Sequence, residues 1–340
     1  PEVTSFTISE NEMKCLPGSS FTLTYEIMPW SVADRTVSWA TSDASVATVE
    51  DGKVTAVGVG TATITATTNA APNATATCEV IVEKLNTVNL SGLISDPDGN
   101  PYWSEFTTDD PTAWKPVSGK SASYIGGTLK DGLLYVHNAS HMYILDPDTF
   151  DIIQDCGPLD AFWQWSDAAP APEMDGLFGR VAAVCMSGNY FELLSPEAGT
   201  LSYFNMASTF NNDRMAAIAY IGNGTYDYQS YTDCPAVFYY VLTESGVLHQ
   251  FNVFTYDNGS SYKLTRDVVG KVDVDLTGVS TVTGGKYASM YYDETSGYLI
   301  LSAYTDGRTN QLYAINPNTC LITALGDFGE NNWPVASLYH

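Results

Sequence analysis

Basic side chains are scarce in this chain: 14 Lys and Arg stand against 39 Asp and Glu, a formal net charge of −25. The deficit runs throughout. Residues 1–84 hold 10 acidic and 4 basic side chains, and residues 85–340 hold 29 and 10. With no basic patch to grip phosphates, nucleic acid is excluded as a partner. Anionic membrane surfaces are disfavoured on the same ground. No apolar run approaches the ~20 residues of a membrane span, so no insertion is expected within this chain. The four histidines (His137, His141, His249, His340) do not cluster with the six cysteines, and CxxC is absent, which argues against zinc. GxSxG and Gly-rich phosphate loops are missing too. No stretch of useful length carries a helical period, so long helices are not expected.

Uncharged polar and aromatic residues fill the gap, with 22 Tyr among 340 residues. That mix suits antiparallel sheets with uncharged outer faces. The length exceeds one ordinary core and predicts two domains. In FTLTYEI (21–27), Phe21, Leu23, Tyr25 and Ile27 alternate onto one face. Residues 37–68 read VSWATSDASVATVEDGKVTAVGVGTATITATT. They combine a Trp on an alternating strand, a polar turn, a DGK turn and the closing strand TATITATT. This pattern resembles the bacterial Ig-like group 2 module, and the likeness covers residues 1–84. It implies a sandwich that buries Trp39 and a protein that works outside the cell, secreted or at the surface. The chain begins at Pro1 inside this module, as a mature or trimmed chain would. Cys15 and Cys78 fall on what should be neighbouring strands; a disulfide and two buried thiols both remain open.

Residues 85–340 contain a recurring hairpin. MYILDPDTFDII (142–153), YFELLSPEAGTLS (190–202) and LYAINPNTCLIT (312–323) each place Asp, Asn or Ser before Pro between two strands. Pro presets φ at the second turn position and the preceding side chain caps the turn. A strand rich in small residues also recurs at 121–127, 214–222, 286–294 and 334–340, as crowded inner strands of a propeller require. Four-stranded units are read over 121–155, 161–205, 214–268 and 286–325, with a Pro/Ala-rich loop at 167–178. Such units near 50-residue spacing predict a β-propeller. The last segment, PVASLYH, lacks a following blade, and 88–118 lacks an inner strand. Joining them makes five blades and removes an open sheet edge. The LDPDT and INPNT turns resemble those of YVTN and quinoprotein-type propellers, a likeness confined to the turns.

Chemistry is harder to place. Asp96, Asp98 and Asn100 put oxygen ligands at alternate positions, half of an EF-hand-like calcium loop. The bidentate Glu that should follow is off register at Glu105, and Pro97 fits a plain hairpin turn, which is the preferred reading. No other cofactor is expected. SDPDGNPYW (95–103) resembles a sialidase Asp-box, but Pro97 occupies the Asp position, and three converging arginines are wanting. Trp163, Trp165, Phe210, Arg214 and Trp333 fall near the loops that join one blade to the next. Flat aromatic faces with polar neighbours suit sugar rings or peptide side chains; packing between blades is the weightier account. The sequence thus predicts a monomeric secreted or surface adhesion protein, with the Ig-like module as spacer and the propeller as recognition head for a glycan or extracellular protein. The alternative is a carbohydrate-active enzyme, a hydrolase or lyase with two facing carboxylates on the propeller axis. No catalytic residue is singled out.

Overall fold

The computed structural model describes residues 2–71, 74–96, 98, 100–119, 124, 126–138, 141–158, 165–171, 181–185, 189–195, 200–206, 210, 213–277, 288–305, 309–329 and 336–339. Two compact units meet in the chain between Asn86 and Thr87, two residues beyond the expected boundary.

The first unit is a β-sandwich. Its strands are β1 Ser5–Ile8, β2 Glu12–Cys15, β3 Ser20–Thr22, β4 Tyr25–Met28, β5 Val37–Thr41, β6 Ala47–Glu50, β7 Lys53–Ala56, β8 Gly60–Thr68 and β9 Thr75–Val82. One sheet runs β2-β9-β8-β5 and the other β3-β7-β6, with β1 and β4 paired beside them. Alternation buries Ala62, Ile64 and Ala66 of β8 against Cys78, Val80 and Val82 of β9. FTLTYEI is not one strand. The chain breaks at Leu23, whose N–H donates to Gly52 O at 2.9 Å, so β3 pairs with β7 while β4 pairs with β1. Leu23 and Ile27 remain buried, but Tyr25 is 43% exposed.

Trp39 is half-buried rather than sealed between the sheets, because β5 is an edge strand. Its indole covers Gly52, where a Cβ would stand 3.2 Å from the ring at a φ of +83°. Trp39→Ala should therefore cost the first unit about 2 kcal/mol in urea unfolding, below the ~3–5 kcal/mol of a fully buried Trp. Cys15 and Cys78 are both free buried thiols. β2 and β9 are neighbours as expected, but Cys15 pairs with Val82. That is four residues from Cys78, roughly 13 Å of strand, beyond disulfide reach. Burial pushes both thiols up to about 11.

The second unit is a β-propeller, and its described strands form five four-stranded antiparallel sheets. The first contains β10 Asn89–Ser95, β11 Pro101–Thr107 and β12 Lys115–Pro116. The second is β13 Gly126–Lys130, β14 Leu133–His137, β15 His141–Leu145 and β16 Ile152–Pro158. The third is β17 Trp165–Pro170, β18 Val181–Cys185, β19 Tyr190–Ser195 and β20 Thr200–Asn205. The fourth is β21 Met215–Tyr228, β22 Tyr231–Thr243, β23 Val247–Tyr256 and β24 Ser261–Lys271. The fifth is β25 Ala288–Asp293, β26 Tyr298–Thr305, β27 Thr309–Ile315 and β28 Ile322–Asp327. The last strand, β29 Ala336–Tyr339, returns to the first sheet and pairs with β10, Ser91 opposite Tyr339 and Leu93 opposite Ala336.

The inner strands close a ring: β13 lies beside β17, β17 beside β21, β21 beside β25, and β29 touches both β25 and β13. Small side chains permit this convergence. Within the second sheet, a Cβ at Gly127 of β13 would stand 2.4 Å from Tyr135 O of β14. Apolar residues fill each seam between sheets. Trp103 stacks on Phe150 at 5.9 Å between the first and second sheets, and Phe191 meets Tyr239 at 5.4 Å between the third and fourth. Each ring buried this fully adds about 2–3 kcal/mol.

Two of the three repeated turns work as the sequence implied; the turn at 196–199 lies outside the described residues. Asp146 Oδ1 accepts the N–H groups of Asp148 (2.9 Å) and Thr149 (3.0 Å), and Asn316 Oδ1 that of Asn318 at 2.9 Å. Three inner strands depart from expectation: β13 ends at Lys130 rather than 128, β21 runs on to Tyr228 rather than 221, and β17 is shifted. β17 occupies 165–170, four residues later than read, so the first third of the expected Pro/Ala-rich loop, 167–170, is strand. Ala168 and Ala169 there are the small inner-strand residues of the third sheet, both buried.

Candidate functional site

Where the inner strands end, the ring opens into a cleft of about 330 Å3. All five inner strands supply its wall: Thr128 and Leu129 from β13, Ala168 to Pro170 from β17, Tyr220 from β21, Met290 to Asp293 from β25 and Tyr339 from β29, with Glu294 and Thr295 at the rim. Tyr220, Tyr291, Tyr292 and Tyr339 give it an aromatic lining, and among the described residues no Lys or Arg lines it. Second rings brace two of them: Tyr220 lies 6.0 Å from Tyr239, and Tyr292 lies 6.0 Å from Tyr240. The Tyr220 hydroxyl donates to Asn223 Oδ1 at 2.6 Å.

Burial raises the Tyr220, Tyr291 and Tyr292 phenols, with the charge of Glu294 adding to it. Tyr339 is pushed up to about 12, mainly by burial. These groups stay protonated and can donate hydrogen bonds at any physiological pH. Asp293 serves its own hairpin, its carboxylate accepting the Ser296 N–H at 3.0 Å and the Thr295 N–H at 3.4 Å.

Beneath the cleft lies Asp167, 1% exposed. Its Oδ2 accepts the N–H of Ile218 on β21 at 2.9 Å and that of Met290 on β25 at 3.0 Å. Its Oδ1 accepts from the Ser289 hydroxyl at 2.8 Å. One side chain thus ties three inner strands across the axis, where inner-strand N–H groups lack a ladder partner. Burial pushes its carboxyl up to about 7, against the pull of these donors. Sequence reasoning missed this residue because it was assigned to a loop.

Of the residues expected to carry recognition, Trp165, Phe210 and Arg214 lie at the other ends of the inner strands. Phe210 is buried, its ring 6.1 Å from Phe251, edge-on to His249 at 4.9 Å, with the Arg266 guanidinium 4.8 Å above it. That ring is committed to packing. Arg214 is exposed at the entry to β21, its carbonyl accepting the Glu244 N–H at 2.7 Å. Trp165 begins β17. Trp163 and Trp333 lie outside the described residues.

Asp96, Asp98 and Asn100 sit at the β10–β11 hairpin. Asp96 Oδ1 accepts the N–H groups of Asp98 (3.0 Å) and Asn100 (2.8 Å), the capping pattern seen at Asp146. The Asn100 side-chain amide reaches Asp96 Oδ2 at 3.2 Å. The Asp96 carboxylate is thus engaged with its own turn. Among the described residues no three His, Cys, Asp or Glu side chains group as a metal site.

Comparison with known proteins settles the first unit. Residues 2–80 match the bacterial Ig-like domain (group 2). The minor capsid protein of Enterobacteria phage T3 is 45% identical over 82 residues, which are 24% of this chain and 18% of that protein. The 3-O-alpha-D-galactosyl-alpha-L-arabinofuranosidase of Bifidobacterium longum subsp. longum is 41% identical over 83 residues, 24% of this chain and 7% of the enzyme. The chain therefore spans less than a fifth of the length of either relative. TolB from Acinetobacter baumannii resembles the structure with a TM-score of 0.37 at 11% identity, covering 74% of this chain and 66% of that one. A likeness that loose carries no functional argument.

Proposed function

We propose that this is an extracellular, surface-associated binding protein whose propeller recognises a glycan, with the Ig-like unit as its spacer. The observation that carries the reading is the axial cleft, lined among the described residues by four tyrosines and two acidic side chains. Phenol rings offer flat faces to sugar C–H groups, and their hydroxyls hydrogen-bond sugar oxygens. Among the described lining residues Asp293 and Glu294 carry the only charges, which favours a neutral sugar over an anionic one. On this reading the ring of sheets is a complete five-bladed head, with β29 closing it. The Ig-like match supports an extracellular setting, since such modules are common in secreted and surface proteins.

Hydrolysis needs two carboxylates free to face a substrate. Asp293 is occupied by its turn and Asp167 by three strand donors, which weighs toward binding over catalysis. The test is a glycan array run beside a glycosidase panel. Tyr292→Ala should weaken binding to an array hit about tenfold while the melting temperature changes little. Turnover of a panel substrate, or binding untouched by Tyr292→Ala and Tyr220→Ala, would remove this reading.

A further inference from the structure

The fourth sheet is out of proportion to the others. β21 to β24 run 14, 13, 10 and 11 residues, whereas the longest strand in the other propeller sheets, β26, has 8. The β21–β22 ladder continues to Tyr228 opposite Tyr231, and β23–β24 to Tyr256 opposite Ser261. β21 and β22 exceed it by six and five residues and carry their turn roughly 20 Å past the sheet, while β23 and β24 exceed it by two and three and carry theirs roughly 7–10 Å. They project on the side where the axial cleft opens, since β21 passes Tyr220 in the cleft wall before reaching Tyr228.

This tongue has a core of its own. Cys234, Ala236 and Phe254 are buried, with Tyr226, Tyr228, Phe238 and Tyr256 packed against them. The Lys263 ammonium caps Tyr228, 4.6 Å from its ring centre and 2.5 Å from its hydroxyl. A projecting hairpin pair otherwise has little to hold it rigid. Between the two turns lies a groove of about 520 Å3. Tyr231, 37% exposed, meets Tyr256 at 5.4 Å along one wall. Asp233 and Asn258 also line it, and their side chains take no hydrogen bond from the described residues. Asp257 keeps one carboxylate oxygen on Ser260 at 3.1 Å.

We propose that this groove is a second saccharide-binding site, separate from the axial cleft, with Tyr231 as the stacking platform and Asn258 and Asp233 as hydroxyl partners. A rigid exposed phenol beside an idle amide and an idle carboxylate matches the alternation of C–H faces and hydroxyl pairs on a neutral sugar. The groove has no Lys or Arg in its lining, so acidic sugars are disfavoured. The site stands on the tongue alone and does not depend on the cleft being occupied.

The test uses the full chain and neutral hexaoses of glucose, mannose, galactose, xylose and arabinose, with titration calorimetry and saturation-transfer NMR. At least one hexaose should bind, and Tyr231→Ala and Asn258→Ala should each weaken it about tenfold or more with unchanged melting. The two sites are separated by working in the Tyr292→Ala background, where Tyr231→Ala and Asn258→Ala should still weaken the binding that remains; if Tyr292→Ala alone abolishes binding and neither tongue variant lowers it, the cleft reading stands and the tongue site falls. Binding of none of the hexaoses overturns the proposal. So does tight, salt-sensitive binding of hexalysine that survives Asn258→Ala, which would make the groove a cation site.

Discussion

Asp167→Ala should cost the propeller about 3 kcal/mol or more, because it strands the Ile218 and Met290 N–H groups and the Ser289 hydroxyl in a dry interior. Asp167→Asn should behave otherwise. The carboxamide oxygen can keep both N–H donors where Oδ2 held them, and its NH2 can donate to the Ser289 oxygen. The pH dependence separates the two effects. The native carboxyl is pushed up to about 7, above its ordinary 3.8. Between those values the folded protein holds a proton that the unfolded chain has released. The stabilisation from this group is therefore full below the unfolded value and is lost as pH rises through about 7. The wild-type propeller should lose on the order of 3 kcal/mol between pH 4 and pH 8 from this group, and Asp167→Asn should flatten that slope. Asp167→Ala should be weaker at both ends. Urea unfolding across the pH range reads all three, and a wild-type slope shared by Asp167→Asn would remove the assignment.

Ending the chain after residue 335 should have an effect of similar size by a different route. It removes β29, leaving β10 with an open edge. It also takes away Tyr339, whose ring meets Trp103 edge-on at 6.0 Å in the seam between the first two sheets. Trp103 is only 1% exposed with Tyr339 in place. The truncated protein should melt about 10 °C lower or aggregate through the exposed strand. Light scattering with a thermal scan distinguishes those outcomes. An unchanged melt in a monomeric protein would mean that ring closure by β29 contributes nothing to stability.

The sandwich and the four-stranded units were legible because their signals are local. Period-two alternation marks a strand within five or six residues, and an Asx-Pro turn is specified by its own side chain, as Asp146 and Asn316 show. Local reading failed where neighbours decide. FTLTYEI alternates without interruption, yet Gly52 draws Leu23 into one sheet and β1 draws Tyr25 into another pairing. DAAP (167–170) has the composition of a loop, yet it pairs with β18 from Asp167 opposite Val184 to Pro170 opposite Val181, and the Asp167 carboxylate ties it to β21 and β25. Aromatics beside blade junctions drew the expectation to one end of the propeller, and Phe210 there is packed against Phe251 and His249.

By itself the sequence determined the all-β class, the Ig-like first unit, the hairpin repeat and the return of the last strand to the first sheet. Each rests on periodicity, turn chemistry or the need to cover a sheet edge, and all of these act over short stretches or on whole strands. Only the tertiary structure decided that Thr128, Ala169, Tyr220, Tyr292 and Tyr339 share one cleft, and that Asp167 spans the axis beneath it. Those residues come from five strands separated by up to some two hundred positions, and a ring brings them together by closing, which no local pattern encodes.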